Sequence, residues 1–180
     1  MRLVGLDFET ANFTFGSICA AGCAVLEDGE VVEKTEYLVR PHRSLDKMHG
    51  GCFAVHGISW YDLREAPEFP AVWPVLRQML LSADVVVAHN AAFDLRHLQA
   101  ALALYHLSPV EFTYVCSLEI SRKRLPELES HALDAVAAHF GHTFQHHDAL
   151  EDAIACAMIV HRLGASENFL KRFDSGPAAV

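Results

Sequence analysis

The stretch from Asp84 to His89, DVVVAH, carries no polar residue between its ends. A strand wet on one face alternates apolar and polar residues, so an unbroken apolar run suits a strand covered on both faces. Upstream, Leu3, Val4, Leu6 and Phe8 mark a short buried strand. Residues 17–26 and 31–40 read as two more, joined by Asp28-Gly29, a strong hairpin signal. These three strands are antiparallel. Residues 41–68 read as irregular, with Pro41, Gly50, Gly51, Gly57 and Pro67. Residues 69–82 carry Phe69, Val72, Trp73, Leu76, Met79 and Leu80 at helical spacing. Residues 91–107 form a helix with Phe93, Leu98, Leu102 and Tyr105 on one side, and 112–116 a short strand. Residues 117–124 and 131–140 are helices, the second with Ser130 as N-cap and Gly141 as its stop. A last helix opens at Asp148 and ends at Gly164. The order predicts an α/β fold whose mixed sheet is antiparallel first and parallel afterwards, flanked by helices. One domain is expected over 1–165, with a frayed tail over 166–180.

A chain of 180 residues suits one core. With 52% hydrophobic and 21% charged residues, bulk disorder is excluded. The longest membrane-span candidate, Ala132 to Phe140, is broken by Asp134 and His139, and Glu9 interrupts the N-terminus where a signal peptide needs a long apolar stretch. Five cysteines (Cys19, Cys23, Cys52, Cys116, Cys156) are odd in number and lack CxxC spacing. Reduced, mostly buried thiols in a cytoplasmic protein are therefore expected. The net charge of −9 argues against a broad basic surface for nucleic acid, but not against a small cleft where metal ions screen phosphates.

Asp7 and Glu9 lie two apart, on one face of the first strand, with Leu6 and Phe8 on the other. An isolated pair of this kind is commonly the solvated face of an edge strand. On a central strand it is costly unless it binds something, and hard divalent cations suit carboxylate oxygens. Asp94 sits in the first turn of the helix after the buried strand. It reads equally as a helix-dipole carboxylate or as part of a site at the strand ends. His147 lies on the loop before the last helix and Asp152 about one turn into it. His146 competes for any role given to His147.

Taken together, these residues resemble the DEDD exonucleases of the histidine variant, the family of the proofreading subunit of bacterial DNA polymerase III, exonuclease X and ribonuclease T. The matching stretches are GLDFETAN, VHGIS at 55–59, AHNAAFDLRHL, and ALDAVAAHFG leading to HHDALEDA. They run in order from residue 3 to about 163.

The resemblance implies a ribonuclease H-like fold and two-metal hydrolysis of 3′-terminal nucleotides, with Mg²⁺ or Mn²⁺ as cofactor. Asp7, Glu9, Asp94 and Asp152 match the metal ligands and His147 the general base. Thr10 and His56 match positions that touch the terminal nucleotide. Phe13, four residues after Glu9, matches an aromatic that stacks on bases; Phe13 and Phe15 also read as loop anchors. The chemistry is consistent: two divalent ions about 4 Å apart activate a water and stabilise the leaving oxygen, and a histidine takes the water's proton. The expected substrate is the 3′ end of single-stranded DNA, with a polymerase or repair partner and no membrane. The alternatives are an exoribonuclease trimming short RNA and a non-catalytic accessory module on the same fold.

Overall fold

A computed structural model describes residues 1–176. Strands β1 (Arg2–Thr10), β2 (Ile18–Glu27) and β3 (Glu30–Leu38) are followed by helices α1 (Gly50–His56), α2 (Trp60–Leu63) and α3 (Phe69–Leu81). Then come β4 (Val85–Ala88), α4 (Ala92–Leu104), β5 (Glu111–Cys116), α5 (Ser117–Arg124), α6 (Leu133–His139), α7 (Ala149–Leu163) and β6 (Lys171–Asp174). The six strands form one sheet in the order β3-β2-β1-β4-β5-β6. β1 pairs antiparallel with β2 and parallel with β4; β4 and β5 are parallel. The Asp28-Gly29 turn has both residues at positive φ, 52° and 88°, as a two-residue hairpin of this hand requires.

The covered strand β4 has helices on both sides. Leu76, Leu98 and Leu102 from α3 and α4 pack with Val4, Leu6 and Phe8 on one face. On the other, Ile154, Ile159 and Val160 of α7, with Ile120 and Val136, pack with Leu3, Val85 and Val87. β1 is therefore central, and its Leu3, Gly5, Asp7, Glu9 face points to α7. Two glycines set how closely α7 approaches. A Cβ on Gly5 would fall 1.9 Å from the Ala153 carbonyl oxygen, and one on Gly22, the cross-strand partner of Asp7, 2.0 Å from that of Ala149. With no side chain at either position, the first turns of α7 lie directly on the strands.

Three sequence expectations are corrected. Residues 41–68 contain α1 and α2, not only irregular chain. His49 caps α1 by accepting from the Gly51 amide, and Ser59 and Asp62 form a capping box on α2. The helix read over 131–140 begins at Leu133, and Ser130 instead accepts from the Ala132 amide before it. The tail does not fray from residue 166: Lys171–Asp174 pair antiparallel with β5, and Phe173 packs on Phe112 at 5.0 Å. The expectation for 177–180 lies outside the described residues. Among those described, no helix is long and apolar enough to cross a membrane, and all five cysteines are buried and free.

Candidate active site

The C-terminal ends of β1, β4 and β5 open into a cleft of about 930 Å³. At its floor, carboxylate oxygens of Asp7, Glu9 and Asp152 all lie within 4.8 Å of one another. Asp7 and Glu9 come from the α7-facing side of β1. Asp152 comes from the first turn of α7, which Asp148 caps by accepting from the Glu151 amide at 3.0 Å. Asp94, 1% exposed, sits behind them in the first turn of α4, where its Oδ1 accepts from the Phe8 amide at 3.1 Å. The structure thus brings together the four carboxylates singled out in the sequence.

Their electrostatics are those of a crowded anionic site. Burial, then the charges of Asp94, Asp152 and Glu9, push Asp7 well above the carboxylate range. Burial, then Asp152 and Asp94, push Glu9 up to about 8. Burial also pushes Asp94 up to about 8, against the opposing Phe8 hydrogen bond. Asp152 is raised by burial, with His146 opposing. Among the described residues no Lys or Arg pairs with any of the four. Hard oxygen donors with no counter-cation of their own fit Mg²⁺ or Mn²⁺.

His147 occupies the turn before α7 at φ 67°. Its amide donates to Asp152 Oδ2 at 3.2 Å, and its ring Nδ1 lies 3.9 Å from Glu9 Oε1. Burial, then the neighbouring His146, hold its pKa below the usual histidine value. His146 Nδ1 lies 2.9 Å from Asp152 Oδ1, and the two imidazoles stack with centroids 3.9 Å apart. Both histidines therefore face the carboxylates, by different edges.

The three expected nucleotide contacts all line the cleft. Phe13 is 75% exposed and leans on His49 at 4.4 Å. The His56 ring uses both nitrogens: Nδ1 accepts from the Ile58 amide at 3.0 Å, so Nε2–H donates to the Thr10 carbonyl at 3.1 Å. Its ring face and carbon edge are what remain for a nucleotide. Thr10 is buried beside Cys52, which also lines the cleft.

Several residues in or behind the cleft escaped the sequence reading. Phe93, read there on one side of its helix with Leu98, Leu102 and Tyr105, is 40% exposed and lines the cleft; its position beside Asp94 was the available signal. His97 is buried, accepts from the Gly16 amide at 3.2 Å, and packs on Phe15 and Phe93, tying the loop after β1 to α4. His89 is held by Ser117 and the His131 carbonyl and pushed down to about 4, chiefly by burial. Arg122 is the one Lys or Arg among the described residues lining the cleft, and it makes no ion pair among them.

A model of the RNase T exonuclease family matches residues 4–160. The DNA polymerase III PolC-type of Thermotoga petrophila is 30% identical over 162 residues, which cover 88% of this chain and 12% of that protein. That of Bacillus subtilis is 28% identical over 164 residues, covering 89% and 11%. The chain thus spans only about a ninth of the length of these curated relatives. Among solved structures, exonuclease X in complex with 5′ overhanging duplex DNA superposes with a TM-score of 0.70 at 24% identity, covering 90% of this chain and 89% of that one. The nuclease domain of 3′hExo, a DEDDh family member bound to rAMP, gives 0.73 at 18%, covering 90% of each. Both likenesses are of fold. Since the family match takes in most of the chain, the protein belongs to the RNase T family of exonucleases.

Proposed function

We propose that this chain is a divalent-cation-dependent 3′→5′ exonuclease acting on single-stranded DNA ends. The observation that carries this is the convergence of Asp7, Glu9 and Asp152 within 4.8 Å on the floor of an open cleft, with Asp94 behind them and His147 above. Asp7, Glu9, Asp94 and Asp152 would hold the cations. When bound, two such ions supply water activation and stabilisation of the leaving oxygen.

The chain's own residues do the rest. His147, kept neutral by burial and by His146, takes the proton of the attacking water as the terminal phosphodiester opens. The bond to the 3′ oxygen of the penultimate nucleotide breaks, leaving a new 3′-OH and a 5′-mononucleotide. Phe13 and Phe93 offer exposed ring faces to bases, and stacking of this kind tolerates any sequence. Thr10 and His56 brace the end of β1 where the terminal sugar would lie. Arg122 offers the cleft a cation for a phosphate. With a net charge of −9, the remaining surface gives little grip on long nucleic acid. Distributive action, or a polymerase or repair partner that holds the substrate, follows.

DNA is placed before RNA because the PolC-type relatives are DNA polymerases by name. Five free buried thiols favour a reducing compartment, hence the cytoplasm. The test uses 5′-labelled single-stranded DNA and RNA oligomers of equal sequence, with a 3′-OH or a 3′-phosphate, in Mg²⁺, Mn²⁺ or EDTA. Metal-dependent shortening by single nucleotides from free 3′-OH ends, faster on DNA, is expected. No cleavage in either metal, or release of oligonucleotides as the first products, would overturn the proposal; faster cleavage of RNA would reassign the substrate.

A further inference from the structure

We propose that His146, His147 and Asp152 form a binding site for a borderline transition-metal ion of the Zn²⁺ class, and that filling it switches the exonuclease off. The inhibitory half rests on the function proposed above; the binding half does not.

The three residues each present a ligand atom, and these atoms lie within 4.8 Å of one another. Two imidazoles and one carboxylate are a donor set that suits Zn²⁺, Ni²⁺ or Cu²⁺ and not Mg²⁺, which keeps to oxygen. The His146–Asp152 edge needs little change. His146 Nδ1 and Asp152 Oδ1 stand 2.9 Å apart. Adjacent ligands of a tetrahedral zinc are separated by roughly 3.3–3.6 Å, from bonds of about 2.0–2.2 Å. An opening of about half an ångström lets an ion take the place of the hydrogen bond between them. The rings stack 22° from parallel, so their in-plane lone pairs run side by side, and the half-exposed His147 must turn about its side-chain bonds to meet an ion held by His146 and Asp152. Asp152 is already oriented by the His147 amide on its other oxygen, at 3.2 Å. Both histidines line the cleft, so an ion has an open path and a free fourth position.

The consequence follows from which atoms are taken. An ion on His147 occupies the lone pair that must accept the water's proton. The same ion takes an Asp152 oxygen from the carboxylate site. His146 is what makes the trap, since without it only one imidazole remains beside the carboxylates.

The test has two readouts on the full chain. Binding is measured by competition with a chromophoric zinc chelator in millimolar Mg²⁺, and by Co²⁺ substitution, whose visible bands report nitrogen ligands in a four-coordinate site. Activity is measured on a single-stranded DNA oligomer at fixed Mg²⁺ with rising Zn²⁺, each protein against its own zinc-free rate. The wild type should bind one Zn²⁺ and show the cobalt bands. His146→Asn should bind zinc at least tenfold more weakly and need at least tenfold more for half inhibition. Absence of cobalt bands in the wild type overturns the site without any variant. Equal zinc affinity in wild type and His146→Asn, or a greater loss in Asp7→Asn than in His146→Asn, places the ion on the carboxylates and overturns it too. A protein inactive in every zinc-free metal condition sinks the exonuclease function, while the chelator and cobalt measurements still decide the binding site.

Discussion

The Phe8 amide donates to Asp94 Oδ1 at 3.1 Å, so a carboxylate carried by α4 is pinned to the central strand. One oxygen answers the backbone and the charge is left to the site. Asp94→Asn keeps an acceptor for that amide and removes the charge; Asp94→Ala also orphans the amide, which costs about 1–3 kcal/mol. Metal-free Asp94→Asn should therefore melt at or above the wild type, and Asp94→Ala below it. Mn²⁺ at about 100 times its dissociation constant adds roughly 2.7 kcal/mol to the wild type, a melting shift of roughly 5–10 °C for this size. Thermal unfolding with and without Mn²⁺ should show that shift reduced in both variants. An undiminished shift in either removes Asp94 from the metal site.

The same crowding fixes a pH dependence. Glu9 and Asp94 titrate at about 8 in the folded, metal-free protein, well above the carboxylate range of the unfolded chain. Between roughly pH 4 and the folded values, the folded state holds protons that the unfolded state has released. Stability from these groups is therefore present at low pH and lost as pH rises towards 8. In EDTA the protein should melt higher at pH 6 than at pH 8.5. Bound Mn²⁺ should narrow or reverse the difference, so the metal shift is larger at pH 8.5. A metal-free melting temperature that climbs across this window contradicts the raised carboxylates.

Gly5 and Gly22 hold α7 against β1 and β2, and so hold Asp152 against Asp7. A Cβ at Gly22 would meet the Ala149 carbonyl at 2.0 Å, and backbone cannot yield as a side-chain tip does. Gly22→Ala should cost roughly 1–3 kcal/mol by overpacking. It should also weaken the Mn²⁺ shift, because α7 carries Asp152 away. Gly50→Ala, where an added Cβ meets nothing within 4 Å, serves as the control and should leave the metal shift unchanged. Equal metal affinity in Gly22→Ala and wild type would show that the helix approach does not set the site.

Which residues were legible in the sequence follows from where their information lies. The Asp28-Gly29 turn, the amphipathic spacing of α3 and the bounds of α5 are local, and all three stand as the periodicity predicts. Strand face and first turn placed Asp7, Glu9, Asp94 and Asp152 but left each open to a plain structural role; it was the resemblance over the ordered stretches that singled out the four together. The short helices α1 and α2 were hidden by Gly50, Gly51 and Gly57, which look like breakers but serve as the first residues and the αL stop of one seven-residue helix. β6 was hidden because its pairing is with β5, a partner remote in sequence. The His146–Asp152 contact depends on a left-handed turn at His147, where no glycine announces it.

Phe13 and Arg122 should act on binding more than on chemistry. Loss of a base-stacking ring costs about 1–3 kcal/mol. Phe13→Ala should raise KM about fivefold or more on single-stranded DNA with kcat within a few-fold. Arg122→Ala should do the same and flatten the dependence of KM on salt, since one phosphate contact is lost. A Phe13→Ala protein that melts lower with unchanged KM would make the ring a loop anchor against His49 instead.

The assignment of the base separates two stacked rings. His147 lies 3.9 Å from Glu9, stands five residues before Asp152 and has its pKa held below the usual histidine value, so it is neutral and ready to accept a proton at pH 7. His146 spends its Nδ1 on Asp152 at 2.9 Å. General-base catalysis is worth about 10²–10⁴ in rate. His147→Asn should lose kcat by that factor while keeping the Mn²⁺ melting shift, and His146→Asn should lose much less. The sign of the pH profile is fixed: the base works unprotonated, so wild-type kcat rises with pH through the lowered His147 pKa and is level near neutrality. His147→Asn should lack that rising limb and His146→Asn should retain it. Single-turnover rates from pH 5 to 8 decide the matter. A limb that vanishes in His146→Asn and survives in His147→Asn transfers the base to His146.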